Sequence, residues 1–223
     1  PAAYPAWGSA NTVDEKNRET LRTILEAAAK NTSAAKGSNT QKIGSFYASC
    51  MDEQKIEAEG IKPLTPEMEL IDKMRNAKDV QAEIAHLHGY GINALFRFGS
   101  EQDFKDSTKV IGSAAQGGLS LPDRDYYLKD DEKSKALRDK YVQHVAKMFE
   151  LMGDDAQKAQ AEAQTVLTIE TSLARASMTR VERRKPENVY HLMPLSELQA
   201  NASQFNWPAF FTSLGLTDLR SLN

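Results

Sequence analysis

The chain has 223 residues, of which 40% are hydrophobic and 26% are charged, and its formal net charge is −3. These are ordinary values for a globular protein, and the even spread of Lys and Arg excludes the clustered basic face that nucleic-acid binding requires. The single cysteine, Cys50, excludes an internal disulfide, and the sequence has no apolar run of about 18 residues that could span a membrane.

Capping patterns predict the first two helices. The segment from Thr12 to Glu15 has the Ser/Thr-x-x-Glu form of a capping box, and Leu21, Ile24, Leu25 and Ala28 follow it on one face. A second box at 38–41 precedes an apolar stripe that runs from Ile43 to Met51 and includes Cys50. We therefore predict that Cys50 is a packed core thiol, because a buried free cysteine behaves as a small hydrophobe.

Two further helix starts follow. Thr65 and Pro66 are typical of an N-cap followed by a first-turn proline. Asp79 is a candidate N-cap for a helix that Gly89 and Gly91 would end.

The middle of the chain is different in character. The segments 94–99 and 109–112 are alternating or β-branched, and they predict two short strands paired across residues 100–108. The Gly/Ser/Pro-rich stretch from Gly112 to Pro122 is then predicted to be a loop.

Helical periodicity returns at Asp131 and continues to Gly153, after which Asp154 and Asp155 begin a long alanine-rich helix. Shorter helices are predicted around 195–200 and 207–214. The predicted fold class is mainly α with a small β-hairpin.

A search for catalytic chemistry finds little. The chain has no His-Glu-x-x-His sequence, which supplies two imidazoles one helical turn apart in many zinc peptidases. Glu83 and His86 form one Glu-x-x-His, so a metal-binding helical bundle built on Glu83, His86 and His88 is one hypothesis. The alternative interpretation is that the four histidines are exposed or hydrogen-bonded in the packing.

One long segment is more informative. Residues 117–128 closely resemble the Gly-Leu-x-Leu-Pro-x-Arg-Asp-Tyr-Tyr signature in the amino-terminal region of neprilysin-like zinc metallopeptidases. Three further segments, 7–9, 43–53 and 183–193, resemble elements of the same family in the expected order. The resemblance, which includes bacterial PepO-type endopeptidases, therefore covers nearly the whole chain.

The resemblance implies an incomplete part of a larger enzyme. Residues 1–223 would be the amino-terminal helical lid region, and the thermolysin-like catalytic domain with its zinc ligands would lie outside this chain. The full-length enzyme would bind zinc and hydrolyse oligopeptides, with this portion limiting access to the site. We expect no catalytic zinc, catalytic residue or metal ligand in this chain alone.

The signature residues are predicted to brace the fold rather than to touch substrate. Pro122 would fix the loop exit, Asp123 or Asp125 would accept from backbone amides, and Arg124 would pair with a carboxylate. The tyrosines would pack with their hydroxyl groups hydrogen-bonded. The signature residues are Gly118, Leu119, Leu121, Pro122, Arg124, Asp125, Tyr126 and Tyr127.

The chain also departs from the family pattern. Ala6 and Asp14 stand where mammalian members carry substrate-binding arginines, which puts a dipeptide-releasing preference in doubt. Asn11 is nearest to a polar substrate-side position. Because the lone cysteine contrasts with disulfide-rich animal members, the resemblance suggests a bacterial protein. It would be periplasmic or extracellular, with or without a lipid anchor, and its export signal would precede Pro1.

The alternative to a peptidase portion is a non-catalytic helical interaction or structural module. The two hypotheses differ on whether the parent chain continues past Asn223 into a segment that contains His-Glu-x-x-His. We expect both ends of the chain to be cut from a longer protein.

Overall fold

The computed structural model describes residues 7–223, which form two compact units with the boundary between Pro63 and Leu64. The first unit contains three helices: α1 (Ser9–Lys30), α2 (Asn39–Cys50) and α3 (Glu53–Glu59). A short 3₁₀ helix, Lys62–Leu64, lies at the boundary.

The second unit combines eight further helices and four strands within the described residues. In chain order these elements are α4 (Thr65–Asp72), α5 (Ala77–Gly89), β1 (Phe96–Gln102), β2 (Val110–Gln116), α6 (Asp125–Leu128), α7 (Glu132–Leu151), α8 (Ala156–Ala176), α9 (Pro186–Val189), β3 (Met193–Pro194), α10 (Leu195–Asn201), α11 (Trp207–Ser213) and β4 (Ser221–Leu222). A second 3₁₀ helix, Glu182–Arg184, precedes α9. The predicted mainly α fold class is confirmed.

The predicted helix starts were right where the capping is local. Ser38, Asp131 and Asp155 are the N-caps of α2, α7 and α8, and each side chain accepts a hydrogen bond from the amide three residues later. Their helices therefore begin where the sequence pattern indicates.

Three other predicted helix starts were wrong. Helix α1 begins at Ser9 rather than at Thr12, whose hydroxyl instead accepts a 3.2 Å hydrogen bond from the Trp7 indole. Thr65 is the first residue of α4 and follows the cap position. The N-cap of α5 is Asn76, whose side chain accepts from the amides of residues 78 and 79.

Helices α1 and α2 approach each other at Gly44. A Cβ atom at this glycine would lie 2.3 Å from the Ala28 carbonyl oxygen, so only glycine permits the contact. Of the predicted apolar stripe, Ile43, Phe46 and Met51 are exposed, and Tyr47, one turn from Gly44, is half-buried. The prediction that Cys50 is a core thiol was wrong, since Cys50 is exposed.

The sheet is larger than the predicted hairpin. Strands β1 and β2 pair antiparallel, with Phe96 opposite Gln116 and Gln102 opposite Val110. Strand β4 pairs parallel with β2 and antiparallel with β3, which gives the order β1-β2-β4-β3. The loop prediction for 112–122 was therefore wrong for residues 112–116, which belong to β2.

Two buried clusters hold the second unit together. Helices α7 and α8 pack through small side chains, including Ala146, Ala159 and Ala163. An aromatic cluster lies between the sheet, α5 and α11, and its fully enclosed members include Phe210 and Phe211. Among the described residues, no helix has the length and apolar content that a membrane crossing needs.

Candidate functional site

The signature segment, residues 117–128, follows β2, includes α6 and packs against α8. Two glycines let it pass very close to β1. A Cβ atom on Gly117 would lie 2.8 Å from the Arg97 amide nitrogen, and one on Gly118 would lie 2.7 Å from the Leu95 Cα atom. Gly118 also has φ +72°, in the left-handed region that favours glycine. The glycines of the signature therefore meet a steric requirement.

Glu170 of α8 is the centre of the hydrogen-bond network beneath the signature. Its carboxylate is buried and accepts from the Ser120 amide at 3.1 Å and hydroxyl at 2.6 Å. Tyr127 and Tyr141 donate their hydroxyls to the other carboxylate oxygen at 2.9 and 2.7 Å. Four donors thus satisfy one buried carboxylate, as burial of a charged group requires. Sequence reasoning assigned no role to Glu170, although it stands in the apolar stripe of its helix.

Tyr127 also connects the network back to the loop, because its hydroxyl accepts from the Leu121 amide at 2.8 Å. Burial, and then the hydrogen bond to Glu170, raise the pKa of Tyr141 to about 12. The same two causes raise the pKa of Tyr127, against the opposing effect of the Leu121 amide. Both phenols therefore remain protonated well above the pH at which an ordinary tyrosine ionises.

We expect this network to be lost at high pH. A group whose pKa is raised in the folded state stabilises the fold fully at pH values below its pKa in the unfolded chain, near 10. This contribution disappears as the pH rises through the pKa of the folded state. An ultraviolet titration of phenolate should show a late phase that loses one equivalent in Tyr141→Phe. In the urea-unfolded chain all seven tyrosines should titrate together. The absence of a late phase in the folded chain would contradict the assignment.

The acidic and basic residues of the signature stabilise the start of α6. Asp123 accepts from the Asp125 amide at 3.0 Å and forms a 2.8 Å ion pair with Arg180. Burial by itself raises the pKa of the Asp123 carboxyl. The hydrogen bond from the Asp125 amide, and then the Arg180 guanidinium, outweigh this effect and lower the pKa below its ordinary value. The predicted acceptor role is thus confirmed for Asp123.

Two details of the predicted signature contacts were wrong. Arg124 does not pair with a carboxylate through its Nε atom. Its Nε–H group donates a hydrogen bond to the Ala174 carbonyl oxygen, 3.0 Å away at the end of α8. Tyr126 contributes its carbonyl, which accepts from Arg138 at 2.9 Å, and no hydrogen bond to its hydroxyl is present among residues 7–223. Both contacts still anchor α6 to its neighbours.

A cavity of about 480 Å³ opens beside the signature segment. The residues that line it include 117–122, Arg97, Arg124 and Arg183. Three arginines and one acidic residue, Asp123, are among the lining residues, and arginine suits carbonyl or carboxylate groups. A ligand in this cavity would contact the signature segment.

The predicted substrate-side residue, Asn11, lies in the first turn of α1. Its side-chain oxygen accepts from the Gly8 amide at 3.0 Å, so it helps to cap the helix. Asp14 pairs with Arg18 at 2.9 Å on the surface. Ala6, the other position discussed, lies outside the described residues. Substrate contact by Asn11 stays a prediction.

Potential metal ligands come together at one place in the described part of the chain. Glu67, Glu83 and His86 each offer a ligand atom within 4.8 Å of the others. His88, which the bundle hypothesis included, instead makes a 3.0 Å hydrogen bond to the Ala94 carbonyl oxygen and packs on Phe96. The hypothesis was wrong about His88 and missed Glu67, which is 19 residues before His86.

This cluster does not fit the catalytic zinc centre that the neprilysin-like resemblance implies. Such a centre takes two histidines one helical turn apart with a glutamate base, and the cluster has one histidine. No reaction step is therefore assigned to residues of this chain.

Comparison with known proteins gives the family. The sequence model for the amino-terminal part of peptidase family M13 matches residues 1–221. Endothelin-converting enzyme 1 of Cavia porcellus is 31% identical, over 96% of this chain and 29% of that protein. Neprilysin-3 of Drosophila melanogaster is 28% identical, over 95% of this chain and 28% of that protein.

Solved structures agree. The zinc metalloprotease Zmp1 of Mycobacterium tuberculosis, in complex with an inhibitor, superposes with a TM-score of 0.90 at 30% identity, over all of this chain and 34% of that one. PepO of Lactobacillus rhamnosis has a TM-score of 0.81 at 16% identity, over all of this chain and 35% of that one, which supports the fold alone. The chain spans about a third of the length of these relatives. It belongs to peptidase family M13 and corresponds to the amino-terminal region of that family.

Proposed function

We propose that this chain is the substrate-gating, amino-terminal portion of a zinc metalloendopeptidase that hydrolyses oligopeptides. The observation that carries the proposal is the M13 match over residues 1–221, together with the chain's share of about a third of its relatives. A zinc metalloprotease with the same fold in the matching third supports it.

The proposal places the catalytic chemistry outside these residues. The 223 residues contain no His-Glu-x-x-His, so the zinc ligands and the general base would belong to a thermolysin-like domain that continues the chain. When bound there, zinc would polarise the scissile carbonyl and activate a water molecule.

The role proposed for this portion is mechanical. The Glu170 network and the close approach of Gly118 to Leu95 fix the loop, and the loop forms one wall of the arginine-lined cavity. A rigid wall of this kind would close the peptide site against water and against folded proteins. Peptide termini or backbone carbonyls would be the groups that meet the arginines.

Location outside the cytoplasm, in the periplasm or beyond it and with or without a lipid anchor, is part of the same proposal. It rests on the resemblance. Fractionation of the source cells with an antibody to this chain would test it. Recovery of the protein in the cytoplasmic fraction would contradict it.

Gating is tested by the size of the substrate. The protein translated from the complete reading frame should cleave an internally quenched oligopeptide, and a zinc chelator should abolish the cleavage. The same peptide sequence placed in a surface loop of a stably folded protein should be cut at least tenfold more slowly. Equal rates on both substrates would contradict gating, and a chelator-insensitive rate would contradict zinc catalysis.

A further inference from the structure

The cluster of Glu67, Glu83 and His86 has no part in the function proposed above. Glu83 and His86 are three residues apart on α5 and so lie on the same face of the helix. Glu67 reaches them from α4, where its Oε2 atom is 2.7 Å from His86 Nε2. Two elements thus bring two carboxylates and one imidazole to one point.

One atom of the cluster points to a missing partner. Oε1 of Glu83 is buried and has no hydrogen-bond partner, while the ligand atoms of all three residues lie within 4.8 Å of each other. A buried carboxylate oxygen without a donor costs free energy, and a cation bound between the three side chains would remove that cost. This atom distinguishes the cluster from an ordinary surface ion pair.

We propose that Glu67, Glu83 and His86 form a divalent-cation site that joins α4 to α5. One imidazole and two carboxylates are a donor set that suits zinc, and three protein ligands leave a fourth position for water. The set is poorer for magnesium, which prefers oxygen ligands alone.

The geometry needs only a small change. Zinc–nitrogen and zinc–oxygen bonds of about 2.1 Å place neighbouring ligand atoms about 3.4 Å apart in a tetrahedron. The Glu67–His86 pair, at 2.7 Å, would open slightly as the metal replaces the shared proton. His86 and Glu67 are each about one-third exposed, so an ion can reach the cluster from the solvent.

The test is calorimetric titration of the chelator-treated chain with zinc chloride, which should show one zinc bound per chain. His86→Ala and Glu83→Gln should each weaken binding at least tenfold. The matched controls are His144→Ala, an exposed histidine on α7, and Glu69→Gln on α4, whose exposed carboxylate pairs with Lys73, the residue that follows the helix. Both controls should bind zinc as the parent chain does.

A second readout protects the test against a variant that fails to fold. Zinc should raise the thermal unfolding midpoint of the parent chain and of both controls, and magnesium chloride should leave it unchanged. Circular dichroism of each variant without metal shows whether it is folded. Zinc binding that is absent in the parent chain, or unchanged in folded His86→Ala and Glu83→Gln, would overturn the proposal. Since the experiment uses this chain alone, its outcome is independent of peptidase activity.

Discussion

Replacement of Glu170 by alanine is expected to lower the free energy of unfolding by about 3–5 kcal/mol. The change removes the acceptor for four donors at one buried point: the amide and hydroxyl of Ser120 and the hydroxyls of Tyr127 and Tyr141. Each donor left without a partner costs about 1–3 kcal/mol, and hydroxyl rotation recovers part of the loss.

The measurement is urea unfolding followed by the fluorescence of Trp207, which is buried in the same unit as Glu170. A Trp7→Phe background leaves this as the single tryptophan. The matched control is Glu162→Ala on the same helix, whose carboxylate lies near the surface beside Asp154 and 3.6 Å from Lys158. That change should stay within about 0.5 kcal/mol of the parent. Equal effects of the two substitutions would contradict the role of the network.

The second large effect is expected for Gly118→Ala, at about 3–5 kcal/mol. Alanine at φ +72° costs about 1–2 kcal/mol by itself. Its Cβ atom would also meet the Leu95 Cα atom at 2.7 Å and a Leu173 methyl carbon at 2.9 Å. Since Leu95 itself has φ +62°, the backbone on that side has little freedom to move away.

The variant Gly91→Ala distinguishes the cost of backbone strain from the cost of steric overlap. Gly91 has φ +79°, yet nothing lies within 4 Å of its absent Cβ atom. This variant should show the conformational cost alone, so Gly118→Ala should be the more destabilising of the two by at least about 1.5 kcal/mol in the same urea assay. Similar values would mean that the loop does not pass as close to β1 as described.

Local signals in the sequence predicted the helical scaffold well. Asp131 and Asp155 begin their helices as expected because an N-cap depends on a few neighbouring residues. The start of α1 was missed because Trp7 engages Thr12, which takes that side chain away from a capping role. The strands β3 and β4 have two residues each, too few for a period of two to be visible.

The wrong predictions of burial have their cause in the tertiary structure. The apolar stripe of α2 was assigned to the core, but α2 meets α1 at Gly44, and Ile43, Phe46 and Cys50 are exposed. A glycine in a helix gives no hydrophobic signal, so periodicity could not find the contact face. For the same reason Cys50 is exposed where a buried thiol was predicted.

The signature segment was recognised from its residues, but the partners that explain it lie far along the chain. Ser120 meets Glu170 across 50 residues, and Tyr141 meets it across 29. A glutamate within an apolar helical stripe is the one local sign of such a partner. Long-range pairs of this kind need the fold before they can be assigned.

Under the proposed function, this chain is a required portion of a peptidase whose catalytic residues lie elsewhere. The most direct measurement is hydrolysis of an internally quenched oligopeptide by this chain, by the rest of its reading frame made separately, and by the two expressed together. We predict activity only when both are present, because the catalytic zinc ligands would lie in the remainder. Hydrolysis by this chain alone, or a reading frame that ends at Asn223, would contradict the claim.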